Sequence, residues 1–222
     1  MSERISISAF TQAEGTQDWR VLGDGASAFF RTGSFVASAR LVEAIAPLAD
    51  QHGRPPDVDV RGTGVTVRIL TLTAEYAGLT SDDVELARAI SAIAREQGAQ
   101  ADTDELQSLE VIVGAPRPHD VLPFWRTVLG YEPRKDSPKE DLVDPAGRTA
   151  PIWLEEMDAA RGDGGGSIHL AVWVAPENAQ TRIRSAIAAG GRVVRDTHAP
   201  AWVTLADAAG NECDVATVTG RD

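Results

Sequence analysis

The chain has 222 residues, of which 43% are hydrophobic and 24% are charged, and these values are typical of a soluble globular protein. Its formal net charge of −12 argues against nucleic-acid binding, which needs a basic face, and against adhesion to anionic membranes. The N-terminus lacks a signal-peptide pattern, and no apolar run reaches the roughly 18 residues of a membrane span. We therefore expect a cytoplasmic protein that does not span a membrane.

Cysteine content excludes two further classes of protein. Cys213 is the single cysteine in the sequence, so the chain cannot form an internal disulfide or a cysteine-rich metal site. Any metal would need histidine and carboxylate ligands.

Taken in order, the first half predicts short strands, then a helix, a strand and a second helix. Two strands joined through Gly23-Asp24-Gly25 fall within residues 1–33. Apolar residues at three-and-four spacing predict helices over Ser34 to Gln51 and over Asp82 to Gln97. The alternation from Val67 to Thr73 predicts a strand between them. This order favours an α+β domain with two helices on an antiparallel sheet.

Three segments of the first half lie between residues 55 and 87: PPDVDV, VRILTLTAE and AGLTSDDVELA. Together they resemble the pterin-4a-carbinolamine dehydratases, in which three histidines remove water from the carbinolamine. The resemblance implies that fold and a groove of pterin size. The three histidine positions are occupied here by Arg54, Pro55 and Ala74, none of which relays a proton at neutral pH. The resemblance thus favours the fold and argues against the family's reaction.

The same resemblance gives candidate ligand-binding residues for this groove: His52, Arg54, Asp57, Ala74 and Glu75. His52 replaces a missing histidine only if the loop is re-registered, and a lone loop histidine is more often solvated. Retained dehydratase activity through His52 with Asp57 or Glu75 is therefore the lowest-ranked hypothesis.

The organisation of the chain is predicted from a change in pattern after residue 97. The stretch GAQADTDELQ has no apolar periodicity and is small, polar and acidic, which is typical of a linker. We predict a dehydratase-like domain over residues 1–97, a linker over 98–107 and a second domain over 108–222.

The second domain contains an internal repeat of order strand, helix and further strands. The helices are predicted in PHDVLPFWRTVLGY and over Pro176 to Ala189, and the turns DPAG and DAAG recur late in each module. The segments FWRTVLGYEP, IHLAVWV and LADAAGNECDV resemble the vicinal oxygen chelate superfamily, which includes glyoxalases and bleomycin-resistance proteins. The resemblance covers residues 106–219 and implies paired βαβββ modules around a cup.

That resemblance implies a divalent metal, Zn, Ni, Mn or Fe, held by histidine and carboxylate ligands. His169, Glu212 and Glu155 match three of the four ligand positions, while Ser108 at the fourth is not a competent ligand. The residues alone leave alternatives open. His169 sits in an apolar strand, where a hydrogen bond to a carbonyl is common, Glu212 follows a turn, and only strand alternation decides between Glu155 and Glu156.

Three hypotheses follow for a protein that acts on or binds a small oxygenated molecule. The first is a metal-dependent lyase or isomerase using His169 and Glu212, with Glu155 as ligand or general base. The second is a non-catalytic binding protein for a planar, pterin-like or drug-like ligand. The third is the dehydratase with rearranged residues. Members of both families commonly assemble, so we expect a homo-oligomer such as a homodimer.

Overall fold

The computed structural model describes residues 2–53, 55–157, 168–206 and 212–221. The chain divides into two compact units. The first comprises Met1–Leu72, Tyr76–Leu106 and Val218–Asp222, and the second comprises Thr73–Glu75 and Gln107–Thr217. Among the described helices, none combines the length and the apolar composition that crossing a bilayer requires.

The first unit contains helices and antiparallel strands, as predicted. Its helices are α1 (Ile7–Gln12), α2 (Phe35–His52) and α3 (Ser81–Glu96). Its strands are β1 (Arg4–Ile5), β2 (Arg20–Leu22), β3 (Gly25–Arg31), β4 (Asp57–Val60), β5 (Gly64–Ile69), β6 (Thr71–Leu72), β7 (Ala77–Thr80) and β8 (Gln100–Ala101). One sheet has the order β2-β3-β5-β4 with β8 also paired to β3, and a smaller one has the order β1-β7-β6.

The two long helices begin and end where their capping residues allow. Ser34 accepts a hydrogen bond from the Ala37 N–H at the start of α2, and Gly53 ends that helix in the left-handed conformation. Both helices bury one apolar stripe against the sheet. Fully buried side chains of the helices and of the strands form the core of this unit. They include Phe30, Leu41, Ile45, Val65, Val67 and Ile90.

The structure differs from the sequence prediction at three places in this unit. Helix α1 was not predicted, because six residues are too short to show a helical period; Ser6 caps it by accepting from the Ala9 N–H at 3.0 Å. Strand β4 forms a hairpin with β5, although no strand was predicted before Val67. The predicted linker 98–107 contains β8, paired to β3, and a 3-10 helix at Thr103–Glu105.

The second unit is an eight-stranded sheet with two helices. The strands are β9 (Gln107–Ala115), β10 (Glu132–Pro133), β11 (Asp141–Val143), β12 (Ile152–Glu156), β13 (Ile168–Val174), β14 (Arg192–Arg195), β15 (Trp202–Ala206) and β16 (Glu212–Ala216). The helices are α4 (Pro118–Leu129) and α5 (Pro176–Ala188). The sheet order is β10-β11-β12-β9-β13-β16-β15-β14.

This order confirms the predicted pair of βαβββ modules. In each module the first strand pairs in parallel with the last, β9 with β12 and β13 with β16. The two first strands, β9 and β13, pair antiparallel and join the modules into one sheet. The predicted connector RGDGGGS and the DAAG turn lie outside the described residues.

The two faces of this sheet differ because both helices pack on the same one. Apolar residues of β15 and β16 pack under α5, and those of β11 and β12 pack under α4. We call the opposite side of the sheet the open face. Since side chains alternate along a strand, every residue next to a helix-facing one belongs to the open face. The buried helix-facing residues include Val174, Val203, Leu205, Val215, Val113, Leu142, Ile152 and Leu154.

Candidate functional site

The open face of the second unit brings together polar side chains from both modules. Leu170 and Cys213 are paired across β13 and β16, so His169 and Glu212, one residue earlier on each strand, share the open face. Asp214 lies on the same face of β16 as Glu212, and it is paired with Ala171. The core of the candidate site is therefore His169 flanked by two carboxylates on the neighbouring parallel strand.

His169 and Asp214 form the polar contact at the centre of this site. The Nε2 atom of His169 lies 3.5 Å from Oδ2 of Asp214. Thr204, on β15, donates a hydrogen bond from Oγ1 to the other oxygen of Asp214, Oδ1, at 2.6 Å. Both Thr204 and Asp214 are buried, so the carboxylate is fixed from one side by a hydroxyl and faces the imidazole on the other.

The two groups shift each other's pKa in opposite directions. The hydrogen bond with Asp214 raises the pKa of His169, burial opposes this, and the negative charges of Asp214, Glu155 and Glu212 add to the increase. Burial raises the pKa of Asp214, but hydrogen bonds from His169 and Thr204 and the charges of His169 and Arg195 outweigh it and lower the pKa overall. His169 therefore holds its proton more firmly than an ordinary histidine.

Strand alternation settles the choice between the two glutamates of β12. Glu155 is paired with Gly114 and lies one residue from the buried Leu154, so it belongs to the open face, as does Trp153. Glu156 has the opposite orientation and is exposed. The predicted residues His169, Glu212 and Glu155 thus share one face, and both glutamates are close enough to influence the charge of the imidazole.

Two further open-face residues, Glu110 and Trp173, were not predicted as site residues. Trp173 on β13 donates a hydrogen bond from Nε1 to Oε2 of Glu110 on β9, at 3.4 Å. Ser108 is paired with Trp173 and Glu110 with Ala171, so both belong to the open face. Glu110 therefore places a carboxylate on β9. This is the strand on which the resemblance implied a fourth ligand position at Ser108, which is not a competent ligand.

The metal site implied by the sequence does not fit the arrangement of these side chains. Among the residues that the structure describes, no three His, Cys, Asp or Glu side chains are grouped as metal ligands. His169, Glu212 and Glu155 share a face without forming such a group, and Nε2 of His169 faces Asp214. We therefore derive no catalytic step through a metal.

The residues predicted to line a pterin-sized groove are mostly exposed, and they are divided between the two units. His52 is the last residue of α2, and Asp57 begins β4 with its carboxylate 3.4 Å from Arg68. Ala74 and Glu75 are exposed and group with the second unit, while Arg54 lies outside the described residues. No catalytic arrangement of the described members of this set is evident.

A cavity of about 640 Å³ does open on the first unit, beside α2. His52, Asp57, Ala74 and Glu75 do not appear among the residues that line it. Its charged lining groups are Arg40 and Glu43, and half of its lining residues are alanine or leucine. The lining residues are Thr32, Ala37, Arg40, Leu41, Glu43, Ala44, Gln97 and Ala99.

Asp214 and Thr204 are two more site residues that sequence reasoning missed. The spacing of Glu212 and Asp214, two residues apart in the strand ECDVA, is a signal that both carboxylates share a face. Thr204 carries no such signal, because its contact depends on the pairing of β15 with β16.

Family models match both halves of the chain. The model of the family described as "Pterin 4 alpha carbinolamine dehydratase" matches residues 3–93. The model described as "Glyoxalase-like domain" matches residues 110–216.

Three similar proteins carry provisional names as pterin-4-alpha-carbinolamine dehydratases. One from Nocardia farcinica is 38% identical over 85 residues, which are 38% of this chain and 87% of the relative. One from Thermosynechococcus vestitus is 30% identical over 95 residues, 42% of this chain and 98% of the relative. One from Chloroflexus aurantiacus is 36% identical over 76 residues, 34% of this chain and 80% of the relative. The chain therefore belongs to the pterin-4a-carbinolamine dehydratase family through its N-terminal region, and a glyoxalase-like domain follows that region.

Proposed function

We propose that the glyoxalase-like domain takes a small oxygenated molecule on its open face and that His169 acts there as a general acid and base. The observation that carries this proposal is the contact of His169 with Asp214, which Thr204 holds in place. A carboxylate behind an imidazole fixes the tautomer of the ring and stabilises its protonated form. The reaction class is that of a lyase or isomerase.

The proposed chemistry uses the two ring nitrogens of His169 differently. Nε2–H donates to Asp214, which leaves Nδ1 as the nitrogen that meets the substrate. Nδ1 of the neutral ring accepts a proton from a carbon next to a carbonyl group, and the C–H electron pair moves into the enolate. For an α-hydroxy ketone, the imidazolium then returns the proton to the former carbonyl carbon of the enediolate while the hydroxyl proton moves to the other oxygen. The imidazole is regenerated, and the product is the isomeric α-hydroxy carbonyl compound.

Deuterium exchange tests this step whatever the identity of the final product. A panel of α-hydroxy ketones and 2-oxoaldehyde hemithioacetals is incubated with the protein in D₂O, and loss of the α-proton signal is followed by NMR. We expect exchange above background for at least one compound and its loss in His169→Gln. His198→Gln is the matched control, because His198 is exposed and stacks on Trp202 with ring centroids 4.1 Å apart.

The non-catalytic alternative is separated by the same panel. Exchange at the background rate for every compound, together with measurable binding of one of them, would make the domain a binding protein and contradict a proton-transfer role for His169. Exchange that persists in His169→Gln would contradict the assignment of the base.

For the first unit, we propose pterin binding without the dehydration reaction. Its membership of the dehydratase family supports a pterin-like ligand, while Arg54, Pro55 and Ala74 stand where the family pattern has histidines. Dehydration of a 4a-hydroxytetrahydropterin is followed by absorbance, and we expect the uncatalysed rate. Catalysis that is abolished by His52→Ala would contradict this and favour a rearranged dehydratase site.

A further inference from the structure

The cavity beside α2 is lined by two side chains of opposite charge, Arg40 and Glu43. In the part of the chain that the structure describes, neither of them forms an ion pair. The same order and spacing does give an ion pair at the start of α4, where Arg117 and Asp120 lie 2.8 Å apart. The guanidinium and the carboxylate that line the cavity are therefore both available to a ligand.

The neutral polar groups of this cavity are oriented as hydrogen-bond acceptors. Nε2 of Gln97 donates to the carbonyl oxygen of Arg40 at 3.4 Å, which leaves Oε1 of the amide as an acceptor. The hydroxyl of Ser38 donates to the carbonyl oxygen of Arg61 at 3.0 Å. The proton in the 2.6 Å hydrogen bond between Ser38 and Thr32 therefore comes from Thr32. Its hydroxyl thus offers only lone pairs to a ligand.

These groups are close enough to contact one small molecule. Arg40 and Glu43 lie about one turn apart on α2, a spacing that puts Cβ atoms about 5–6 Å apart. Gln97 is bonded to the backbone of the same helix at Arg40. Thr32 is bonded to Ser38 in the first turn of that helix. One cationic group and three acceptors therefore converge on the N-terminal half of α2.

The remaining lining of the cavity is small and apolar. Ala37, Leu41 and Ala44 recur on one face of α2, and Leu41 is fully buried. Ala99, just past α3, lines the cavity as well. Because alanine leaves the space that a longer side chain would fill, the cavity measures about 640 Å³, which is within the range of small-molecule sites. This lining accepts an apolar group.

We propose that the cavity binds a free α-amino acid with an apolar side chain. The ligand carboxylate contacts Arg40, whose planar guanidinium bonds both carboxylate oxygens. The ligand ammonium group has three N–H donors, and Glu43, Gln97 and Thr32 supply the acceptors. One carbon carries both charged groups of an α-amino acid, so their separation suits two side chains one helical turn apart. This site goes beyond the functions proposed above, which concern other residues.

Leucine and two analogues that each lack one charge test this proposal. 4-Methylpentanoate has the leucine skeleton without the amino group, and 3-methylbutylamine has it without the carboxylate. Each is titrated into the whole chain at neutral pH and low salt, and binding is read from the NMR shifts of the α2 backbone amides. We expect leucine to bind and each analogue to bind at least about fivefold more weakly, because each forms one ion pair fewer.

Removing one charge at a time assigns the two ends of the ligand. Arg40→Gln should weaken binding of leucine and of 4-methylpentanoate, and should change binding of 3-methylbutylamine by less than about twofold. Glu43→Gln should weaken leucine and 3-methylbutylamine and spare 4-methylpentanoate. Glu85→Gln and Arg88→Gln are the matched controls, because these residues form an ion pair on α3 and do not line the cavity.

Two alanines of α2 locate the ligand. Ala44→Leu fills part of the cavity and should abolish leucine binding. Ala46→Leu adds the same volume at an exposed position that does not line the cavity, and leucine binding should stay as in the wild type. Melting temperatures of all variants are compared with that of the wild type, so that a loss of fold is recognised.

Absence of leucine binding to the wild type overturns the proposal. Binding of either analogue as tightly as leucine overturns it as well, because one charge would then be sufficient. Equal losses in the cavity variants and in the α3 controls, or unchanged binding in Ala44→Leu, would place the ligand elsewhere and contradict the assignment. The wild-type comparison of leucine with its analogues decides the question even if a variant does not fold.

Discussion

His169 and Asp214 lie on neighbouring parallel strands, with Nε2 of the imidazole 3.5 Å from Oδ2 of the carboxylate. The first and last strands of the second module are adjacent, so residues more than forty positions apart in sequence meet at the centre of the sheet. Thr204 on the next strand fixes the second carboxylate oxygen. The βαβββ topology itself therefore brings His169 and Asp214 together.

Removing the charge of Asp214 should lower the pKa of His169. The hydrogen bond and the negative charge of this carboxylate both favour the protonated imidazole, and Asp214→Asn removes the charge while keeping the shape. The pKa is read from the pH dependence of the His169 ring signals in NMR spectra. Glu156→Gln is the control and should leave those signals titrating as in the wild type, because Glu156 faces away. An unchanged titration in Asp214→Asn would contradict the pairing.

The same pair should stabilise the domain most in mildly acidic solution. The pKa of His169 is raised on folding. The contribution of His169 to the folding stability is therefore complete below its unfolded-state pKa of about 6.5 and is lost as the pH rises through its folded-state pKa. The pKa of Asp214 is lowered, so its contribution is present above about 3.9 and is lost as the pH falls through the folded value.

Calorimetry of wild type and His169→Gln at pH 5.5 and pH 8.5 measures this effect as a difference in melting temperature. We expect His169→Gln to lower the free energy of unfolding by about 1 kcal/mol at pH 5.5 and by less at pH 8.5. His198→Gln controls for the loss of a histidine side chain at an exposed position. A larger loss at pH 8.5 than at pH 5.5 would reverse the sign and contradict the ion pair.

The sequence predicted the order of helices and strands because that information is local. Apolar spacing marks α2, α3, α4 and α5 to within a few residues of their observed ends. Helix α1 was missed because six residues give too few turns for a period.

The site was predicted only in part, because half of it depends on pairing between strands. His169, Glu155 and Glu212 could be placed from the family pattern, and the structure puts all three on one face. Asp214 and Glu110 acquire their roles only from the register of β13 with β16 and with β9. Alternation alone could not choose between Glu155 and Glu156, because the choice needs the helix-facing neighbours to be known.

The buried carboxylate of Asp83 should be a main source of stability in the first unit. Its Oδ2 atom accepts hydrogen bonds from Thr80 N–H at 2.7 Å, from Thr80 Oγ1 at 2.8 Å and from Thr71 Oγ1 at 2.8 Å, which ties α3 to β6 and β7. Asp83→Ala removes the acceptor of three hydrogen bonds in a buried place and should cost about 2–4 kcal/mol.

Urea unfolding of Asp83→Ala and of Asp82→Ala measures this contribution. Asp82 is the adjacent acidic residue in the first turn of α3 and is exposed, so its loss should cost about 0.5 kcal/mol from the helix dipole alone. Equal effects of the two variants would show that the dipole, and not the buried network, accounts for the role of Asp83.

Metal content should be well below one equivalent per chain. The described residues offer no group of three ligands, whereas tight zinc sites in proteins use three or four. The purified protein and His169→Ala are compared by elemental analysis, before and after reconstitution with Zn, Ni, Mn and Fe.

Traces of metal that are equal in the two proteins are the expected result. About one metal per chain in the wild type, lost in His169→Ala, would contradict the prediction. It would place the metal on Nδ1 of His169, because Nε2–H donates to Asp214 and only the other ring nitrogen has a free lone pair. In that event the raised pKa would have to disappear on metal loading, since the bound imidazole is unprotonated at the ligating nitrogen.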